Sequence, residues 1–549
     1  MSSNAAMTRP QSDPRAPAEA RGNAGPEGRM REASHVMDQR NKAGATGLAG
    51  VLVAVTALAA GPGPHAAAVQ SAPIASPEPA AAAAPPLSYR PVRGDSIVVF
   101  AAHPDDETLG AGGFIHNAVA SGARVTIVIF TNGDGYLEGV DVGFRTLVST
   151  PEKFIEFGRL RQQEALAAAS QLGVPASQVF FLGYPDRGLG VLWGPRWDCS
   201  RPYTSPYTRR DRSPYPLTVH PGSRYCGENV LADVEGILRR ERPAAVVMHH
   251  PADTHRDHWA AGAFVTFALE HLVHQGEPWA ARARVLQYLI HAGRWPLPAA
   301  DAADLELIPP EALRGPRDRW VAFPLSGDDE TAKRRAVGEY RSQMRLLRTY
   351  MLSFVRRNDL FDAVLPVFPY VVHEDLPLDA PDAWDRIPPA IPLPADSSLS
   401  ETVYGSADMT GVTAACAPGR LFLGIYLRRP PTPDVQYRVE MRLVQRGGRT
   451  ARLLLRFQPA GTLSSEQRRP ADLPLPQGAA AHSTGPRILI TLPTGEIGDP
   501  ESAYLSAFTI SPIRTMVDRT PWTLIHLGNG CRPPSTARRR SGGIAGGPV

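Results

Sequence analysis

Ser96-Ile-Val-Val-Phe-Ala-Ala-His-Pro-Asp-Asp-Glu-Thr108 is the stretch from which the rest of the chain can be read. Ile97 to Phe100 are four apolar residues in a row, the pattern of a strand buried on both faces. The strand runs into His103-Pro104-Asp105-Asp106-Glu107, then small residues (Gly110 to Gly113), then a helical stretch to about Ser121. One imidazole and three carboxylates therefore crowd the exit of a core strand, where open α/β sheets bind ligands. Pro104 fixes its own φ and stiffens the turn. A helix cap would need one Asp, not this cluster. A catalytic zinc site takes three protein ligands and keeps one position open. His103 and one neighbouring Asp supply two, and the other Asp is left as a base for the attacking water. The third ligand should be a His from elsewhere. His249-His250-Pro-Ala-Asp253-Thr-His255-Arg-Asp257-His258 offers it, again after an apolar strand, Ala244 to Met248.

These two segments resemble the LmbE-like, or PIG-L-like, zinc-dependent N-deacetylases. His-Pro-Asp-Asp-Glu matches that family's first motif, and Asp253-Thr-His255-Arg-Asp257-His258 its second. Arg161-Gln-Gln-Glu164, Leu172-Gly173, Tyr184-Pro-Asp186 and Tyr340-Arg-Ser-Gln343 also match, so the likeness runs over roughly 94–365. The resemblance implies Zn²⁺ on His103, Asp106 and His258, with Asp105 as general base. It implies His255 polarising the substrate carbonyl or protonating the amine, with Asp257 orienting His255. Arg161 and Asp186 match positions that contact sugar hydroxyls. The implied substrate is an N-acetylglucosamine-type sugar or glycoconjugate. Glu107 is expected to brace the loop. Two other readings share the residues: a non-haem iron oxygenase with the same two-His-one-carboxylate set, and a cell-surface glycan-binding protein with a vestigial catalytic half. The second carboxylate and the His-Asp pair favour hydrolysis.

The remaining chain divides around this core. Residues 1–36 have no periodic pattern, and Met37 is expected to be the true start. Residues 37–68 read as a signal peptide: basic residues, a mostly apolar run from Ala43 to Ala60, then a small-residue zone. Residues 69–93 form an Ala/Pro-rich linker. Strand and helix alternate over 94–385, which implies an α/β, Rossmann-like, mostly parallel sheet with helices on both faces. Helices are expected near Leu109–Ala120, Phe157–Leu172, Asn229–Arg240, His258–Leu272 and Ala332–Met351. The turn Thr131 to Gly135 lacks the spacing of a nucleotide-binding loop. The aromatic stretch Gly188 to Cys226 reads equally as a substrate wall or as a self-packed cover. After a Pro-rich linker at 386–396, residues 397–532 alternate apolar and polar, which predicts an antiparallel β-sandwich. His482 and His526 there are read as structural, and 533–549 as a disordered tail.

Basic and acidic residues number 58 and 54, so no nucleic-acid partner is expected. No membrane span is expected once the signal is removed. The four Cys form no C-x-x-C pair, which argues against a thiolate metal site. An even count in an exported chain favours disulfides, Cys199–Cys226 and Cys416–Cys531.

Overall fold

Ser96–Ala101 forms β1, and its side chains alternate between two buried clusters. Ile97, Val99 and Ala101 enter one; Val98 and Phe100 enter the other, joined by Ala102 just past the strand. Burial on both faces is why the run is apolar without alternation. The structure is a computed structural model that describes residues 85–144, 149–314, 319–363, 366–372, 376–393, 405–459, 461–469, 472–513, 515–528 and 531. The expected signal peptide at 37–68 and the tail at 533–549 lie outside the described residues, as do 1–36 and most of the 69–93 linker. No described helix is long and apolar enough to cross a membrane.

The first half continues through α1 (Asp106–Ala120), β2 (Arg124–Thr131), α2 (Leu137–Phe144), α3 (Pro151–Gln171), β3 (Val179–Tyr184), α4 (Leu189–Trp193) and α5 (Gly227–Glu241). Then come β4 (Ala245–His249), α6 (Arg256–His274), β5 (Arg284–Tyr288), β6 (Trp320–Pro324), α7 (Gly327–Glu339), α8 (Arg341–Leu352) and β7 (Asn358–Ala363). The seven strands form one sheet in the order β3-β2-β1-β4-β5-β7-β6. The first five run parallel, and β7 is antiparallel to both its neighbours. The order reverses between β1 and β4, which pair directly, Val98 against Val246. A reversal of this kind opens a crevice at the carboxyl ends of the strands. Both motif segments leave the sheet there.

The helix expected over Ala332–Met351 is two helices. Tyr340 breaks it with ψ 60, and its hydroxyl donates to Glu107. Ser326 and Asp329 close a capping box at the start of α7. The aromatic stretch is mostly a cover: Trp193, Trp197, Tyr215 and Tyr225 are buried, whereas Tyr203 and Tyr207 stay half-exposed.

The second half holds β8 (Tyr370–Val371), β9 (Ile391–Pro392), β10 (Met409–Ala417), β11 (Arg420–Leu427), β12 (Gln436–Gln445) and β13 (Thr450–Gln458). It ends with β14 (Thr462–Ser465), β15 (Ala480–Thr484), β16 (Arg487–Pro493), β17 (Pro500–Ile510), β18 (Met516–Arg519) and β19 (Thr523–His526). These make two six-stranded sheets, antiparallel apart from the β8–β10 pair. Their inner faces share one apolar cluster that includes Leu423, Met441, Leu453, Ile490 and Leu505. Both disulfides pair as the sequence suggests, with Cα separations of 5.0 Å for Cys199–Cys226 and 5.1 Å for Cys416–Cys531.

The two halves also share a cluster. Val444, Tyr504 and Trp522 of the second half pack with Trp193, Phe264 and Phe267 of the α/β half. Arg442 of β12 lies between two indoles, 3.9 Å from each ring centroid of Trp193 and Trp197, and donates to the Trp193 carbonyl. Its nearest carboxylate is Glu440, at 3.7 Å. A desolvated cation between aromatic faces is held by both rings. Arg442→Ala should lower stability by about 2–4 kcal/mol, since it loses those contacts and leaves a cavity. Arg442→Met fills the space without a buried charge and should stay closer to wild type. Urea unfolding of both variants reads the difference; equal midpoints for wild type and Arg442→Ala would remove the clasp from the argument.

Candidate active site

The turn after β1 is strained at one residue. Asp105 has φ 125 and ψ −29, a region that costs a side-chain-bearing residue of order 1–3 kcal/mol. Contacts hold it there. Its N–H donates to Glu107 at 3.3 Å, and its Oδ2 accepts from Arg161 Nη2 at 3.0 Å. Arg161, buried on α3, also donates to the carbonyls of Pro104 and Gly133. Gly133 has φ 61, and a Cβ there would lie 1.6 Å from Arg161 Nη1, so only glycine lets the guanidinium in.

Three atoms converge beyond this turn. His103 Nδ1 lies 3.0 Å from His258 Nε2 and 3.3 Å from Asp106 Oδ2, and His258 Nε2 lies 3.4 Å from Asp106 Oδ2. The other nitrogen of each imidazole faces a carboxylate. His103 Nε2 is 3.1 Å from Asp186 Oδ1, and His258 Nδ1 is 3.1 Å from Asp253 Oδ2. Those partners take the N–H and leave Nδ1 of His103 and Nε2 of His258 as lone-pair donors into the shared space. His255, at the start of α6, accepts the Asp257 N–H on Nδ1 at 3.3 Å, which leaves its proton on Nε2. A cavity of about 220 Å³ opens here, lined by His103, Asp105, Asp106, His255 and His258, with Tyr136, Arg187, His291 and Tyr350 among its other walls. A larger cleft of about 1970 Å³ between the two halves contains none of the three converging atoms.

The fields in this cluster separate like groups. Burial, only partly offset by Arg161, pushes the Asp105 carboxyl up to about 8. Burial acts on Asp106 too, but His258 and His249 outweigh it and hold that carboxyl well below the carboxylate range. Burial and the neighbouring His258 and His103 hold His255 well below the usual imidazole range.

All eight residues singled out in the sequence come together, but some of their partners differ from expectation. Asp257, expected to orient His255 through its carboxylate, instead accepts from the N–H groups of Arg187 and Leu189 at 2.5 and 2.9 Å. Its Oδ2 lies 3.4 Å from His103 Nε2. Only its backbone N–H touches His255. Asp186 and Arg161 both line the cavity and both are already engaged, Asp186 with His103 and the Gly135 N–H, Arg161 with Asp105.

Asp253 and His291 carry more than the motif spacing indicates. Asp253 Oδ2 accepts from the N–H groups of Ile290 and His291, each at 3.0 Å, and Oδ1 accepts from the His255 N–H at 2.9 Å. This one carboxylate ties the second motif to the exit of β5. His291 follows that exit, faces Tyr350 Oη at 3.0 Å through Nδ1 and stacks on its ring. The strand-exit rule applied to β5 would have found His291. Asp253→Ala leaves four donors without an acceptor and should cost about 2–4 kcal/mol. Thermal unfolding checks this, and Asp253→Asn, which keeps the shape, should fall between.

Residues 98–269 match the family profile described as GlcNAc-PI de-N-acetylase, PIG-L. A relative from Tsukamurella paurometabola, a 1D-myo-inositol 2-acetamido-2-deoxy-alpha-D-glucopyranoside deacetylase, is 27% identical over 303 residues, 53% of this chain and 96% of the relative. The protein of the same name from Mycolicibacterium paratuberculosis is 33% identical over 159 residues, 29% of this chain and 45% of the relative. Among solved structures, an N,N'-diacetylchitobiose deacetylase from Pyrococcus horikoshii overlaps 46% of this chain and 74% of its own at 17% identity and a TM-score of 0.29. The profile match spans both motifs and the crevice they share, so residues 98–269 of the α/β half carry the domain signature of the PIG-L, or LmbE-like, deacetylases and are similar to them.

Proposed function

We propose that the protein is an exported, zinc-dependent hydrolase that removes the N-acetyl group from an N-acetylglucosamine-type sugar or glycoconjugate. The observation that carries this reading is the triangle of His103 Nδ1, Asp106 Oδ2 and His258 Nε2, with sides of 3.0 to 3.4 Å. A tetrahedral ion bound at 2.0–2.1 Å spaces its ligands about 3.3–3.4 Å apart, so the three atoms fit one face of a zinc site. Two nitrogens and one oxygen, each imidazole backed by a carboxylate, are a donor set zinc favours in hydrolases.

His103, Asp106 and His258 would hold the ion, which supplies Lewis acidity to the scissile carbonyl and lowers the pKa of the attacking water. The chain's own residues do the rest. Asp105, free of the triangle and beside the cavity, takes the proton of the attacking water as the C–O bond forms. His255 presents its Nε2–H to the developing oxyanion, a neutral donor that burial keeps from becoming a cation. As the C–N bond breaks, the proton passes from Asp105 to the leaving nitrogen, giving the amine and acetic acid, which loses its own proton to become acetate. Arg161 keeps Asp105 aimed, and Asp257 and Asp186 keep His103 turned with Nδ1 inward. The second histidine–carboxylate pair and the extra base support hydrolysis over dioxygen chemistry with the same ligand types.

Export is supported by the two disulfides, because such bonds persist in oxidising compartments. N-terminal sequencing of secreted protein should find a start between Ala66 and Ser76. A cytoplasmic protein beginning at Ser2 would contradict export.

Metal content and rate should separate within adjacent residues. Asp105→Asn is expected to keep near-stoichiometric zinc and lose about 10²–10⁴ in amine release from N-acetylated sugars. Asp106→Ala and His258→Ala are expected to lose zinc and activity together, and chelation of wild type should do the same. Elemental analysis beside the rates decides it, and also reports whether the bound metal is zinc or iron. An Asp105→Asn protein without metal, beside an active Asp106→Ala, would reverse the assignment.

A further inference from the structure

Arg187 stands at the mouth of the cavity with φ 59, in the left-handed region. That region disfavours any residue with a Cβ, and glycine would occupy it without strain. The Asp257 carboxylate holds the Arg187 N–H in place. A large side chain kept against its backbone preference beside an active site points to a use for that side chain.

The surroundings of the guanidinium narrow the use. It lies 5.7 Å from the ring centroid of Tyr207, which in turn packs edge-on against Phe154 at 5.4 Å. Tyr207 comes from the aromatic stretch closed by Cys199–Cys226, so this otherwise self-packed cover contributes a brace to the cavity mouth. Among the described residues no carboxylate lies within ion-pair distance of the Arg187 guanidinium. Asp186 is committed to His103 and Gly135, and Glu138 acts on Arg187 only from farther off. A second cation stands nearby. Arg256, the exposed first residue of α6, follows His255 and also has no carboxylate partner among the described residues. The Tyr203 phenol sits in the fields of both Tyr207, the ring beside Arg187, and Arg256. Arg161, the other arginine of the cavity, is spent on Asp105.

A guanidinium without a carboxylate partner offers a planar fork of donors that matches a carboxylate or a phosphate. The cavity, about 220 Å³, is smaller than usual ligand pockets and has room for little more than one acylamino sugar ring. A substituent on that ring must therefore reach the rim, where Arg187 waits.

We propose that Arg187, with Arg256 behind it, binds an anionic substituent, a carboxylate or a phosphate, on the acylamino sugar; this rests on the deacetylase reading above. Calorimetric titration of the zinc-loaded protein with glucosamine, glucosamine 6-phosphate and muramic acid reads the preference without turnover. At least one of the two anionic ligands should bind roughly tenfold or more tightly than glucosamine, and the advantage should shrink as salt is raised. Tighter muramic acid identifies a carboxylate site, and tighter glucosamine 6-phosphate a phosphate site. Arg187→Gly is the decisive variant, because glycine suits the backbone there. It should unfold at or above the wild-type temperature and bind all three ligands alike. Arg256→Ala should reduce the preference only in part. Equal wild-type binding of the three ligands would overturn the proposal. So would an Arg187→Gly protein that loses affinity for glucosamine as strongly as for the anions. If the preference is found but no N-acetylated form of these sugars is hydrolysed, the deacetylase reading fails and the anion site stands.

Discussion

His103 Nδ1, Asp106 Oδ2 and His258 Nε2 stand within 3.4 Å of one another, and both motif segments are arranged around that triangle. The sheet makes it possible. β1 and β4 are neighbours at the point where the strand order reverses, so two segments about 150 residues apart in sequence leave the sheet side by side. Each imidazole is then fixed by a carboxylate behind it, Asp186 for His103 and Asp253 for His258. The orientation of both rings is therefore set by contacts within the protein itself.

The types and order of the site residues were legible because short motifs state them directly: a strand, then His-Pro-Asp-Asp-Glu, then a second strand with its own His-rich exit. The partners were less legible. Asp257 follows His255 by two positions, and sequence proximity suggested that its carboxylate serves that ring. Yet a carboxylate in the first turn of a helix points at free N–H groups, and here those of Arg187 and Leu189 were nearer. Asp253 escaped for the opposite reason. Its partners at Ile290 and His291 belong to a strand exit that no local spacing ties to it. The same holds for the helix that breaks at Tyr340: its periodicity runs on, and the partner of the Tyr340 hydroxyl at the interruption, Glu107, is distant in sequence. In the second half the alternation read over 397–532 is plain in Gln436–Gln445, which runs polar and apolar by turns for most of its length. The short edge strands Thr462–Ser465 and Met516–Arg519 have too few residues to show a period.

The link between the halves is a second thing the sequence conceals. Arg442 reads as one polar position in an alternating strand, a residue for the solvent face. It is buried instead, because the face of β12 that carries it is covered by Trp193, Trp197 and Phe267 of the first half. Arg452 makes a related substitution of partner, pairing with Asp472 at 2.7 Å while also reaching the Gly194 carbonyl. The outer face of one sheet is thus an interface. Its cations meet aromatic rings and carbonyls from the segment just before the disulfide-closed cover. The cover, the α/β half and the β-rich half meet around Trp193.

Asp105 and Asp106 show most clearly that environment, not residue type, sets the character of a carboxyl here. They are adjacent, chemically identical and both within a cluster of imidazoles. Asp106 begins α1, and its Oδ2 accepts the His103 N–H at 2.8 Å while facing His258 and His249, so its charge is stabilised from three sides. Asp105 occupies the strained residue just before, turned toward Arg161 and away from those rings, and burial raises its affinity for a proton to near neutral pH. A carboxylate held ionised suits a permanent ligand. One poised near neutrality can accept a proton and return it, and displacement of like pKa values in opposite directions is how paired carboxylates acquire separate duties. At φ 125 Asp105 stands outside the helix that Asp106 begins, and its carboxylate reaches Arg161, while that of Asp106 faces the imidazoles.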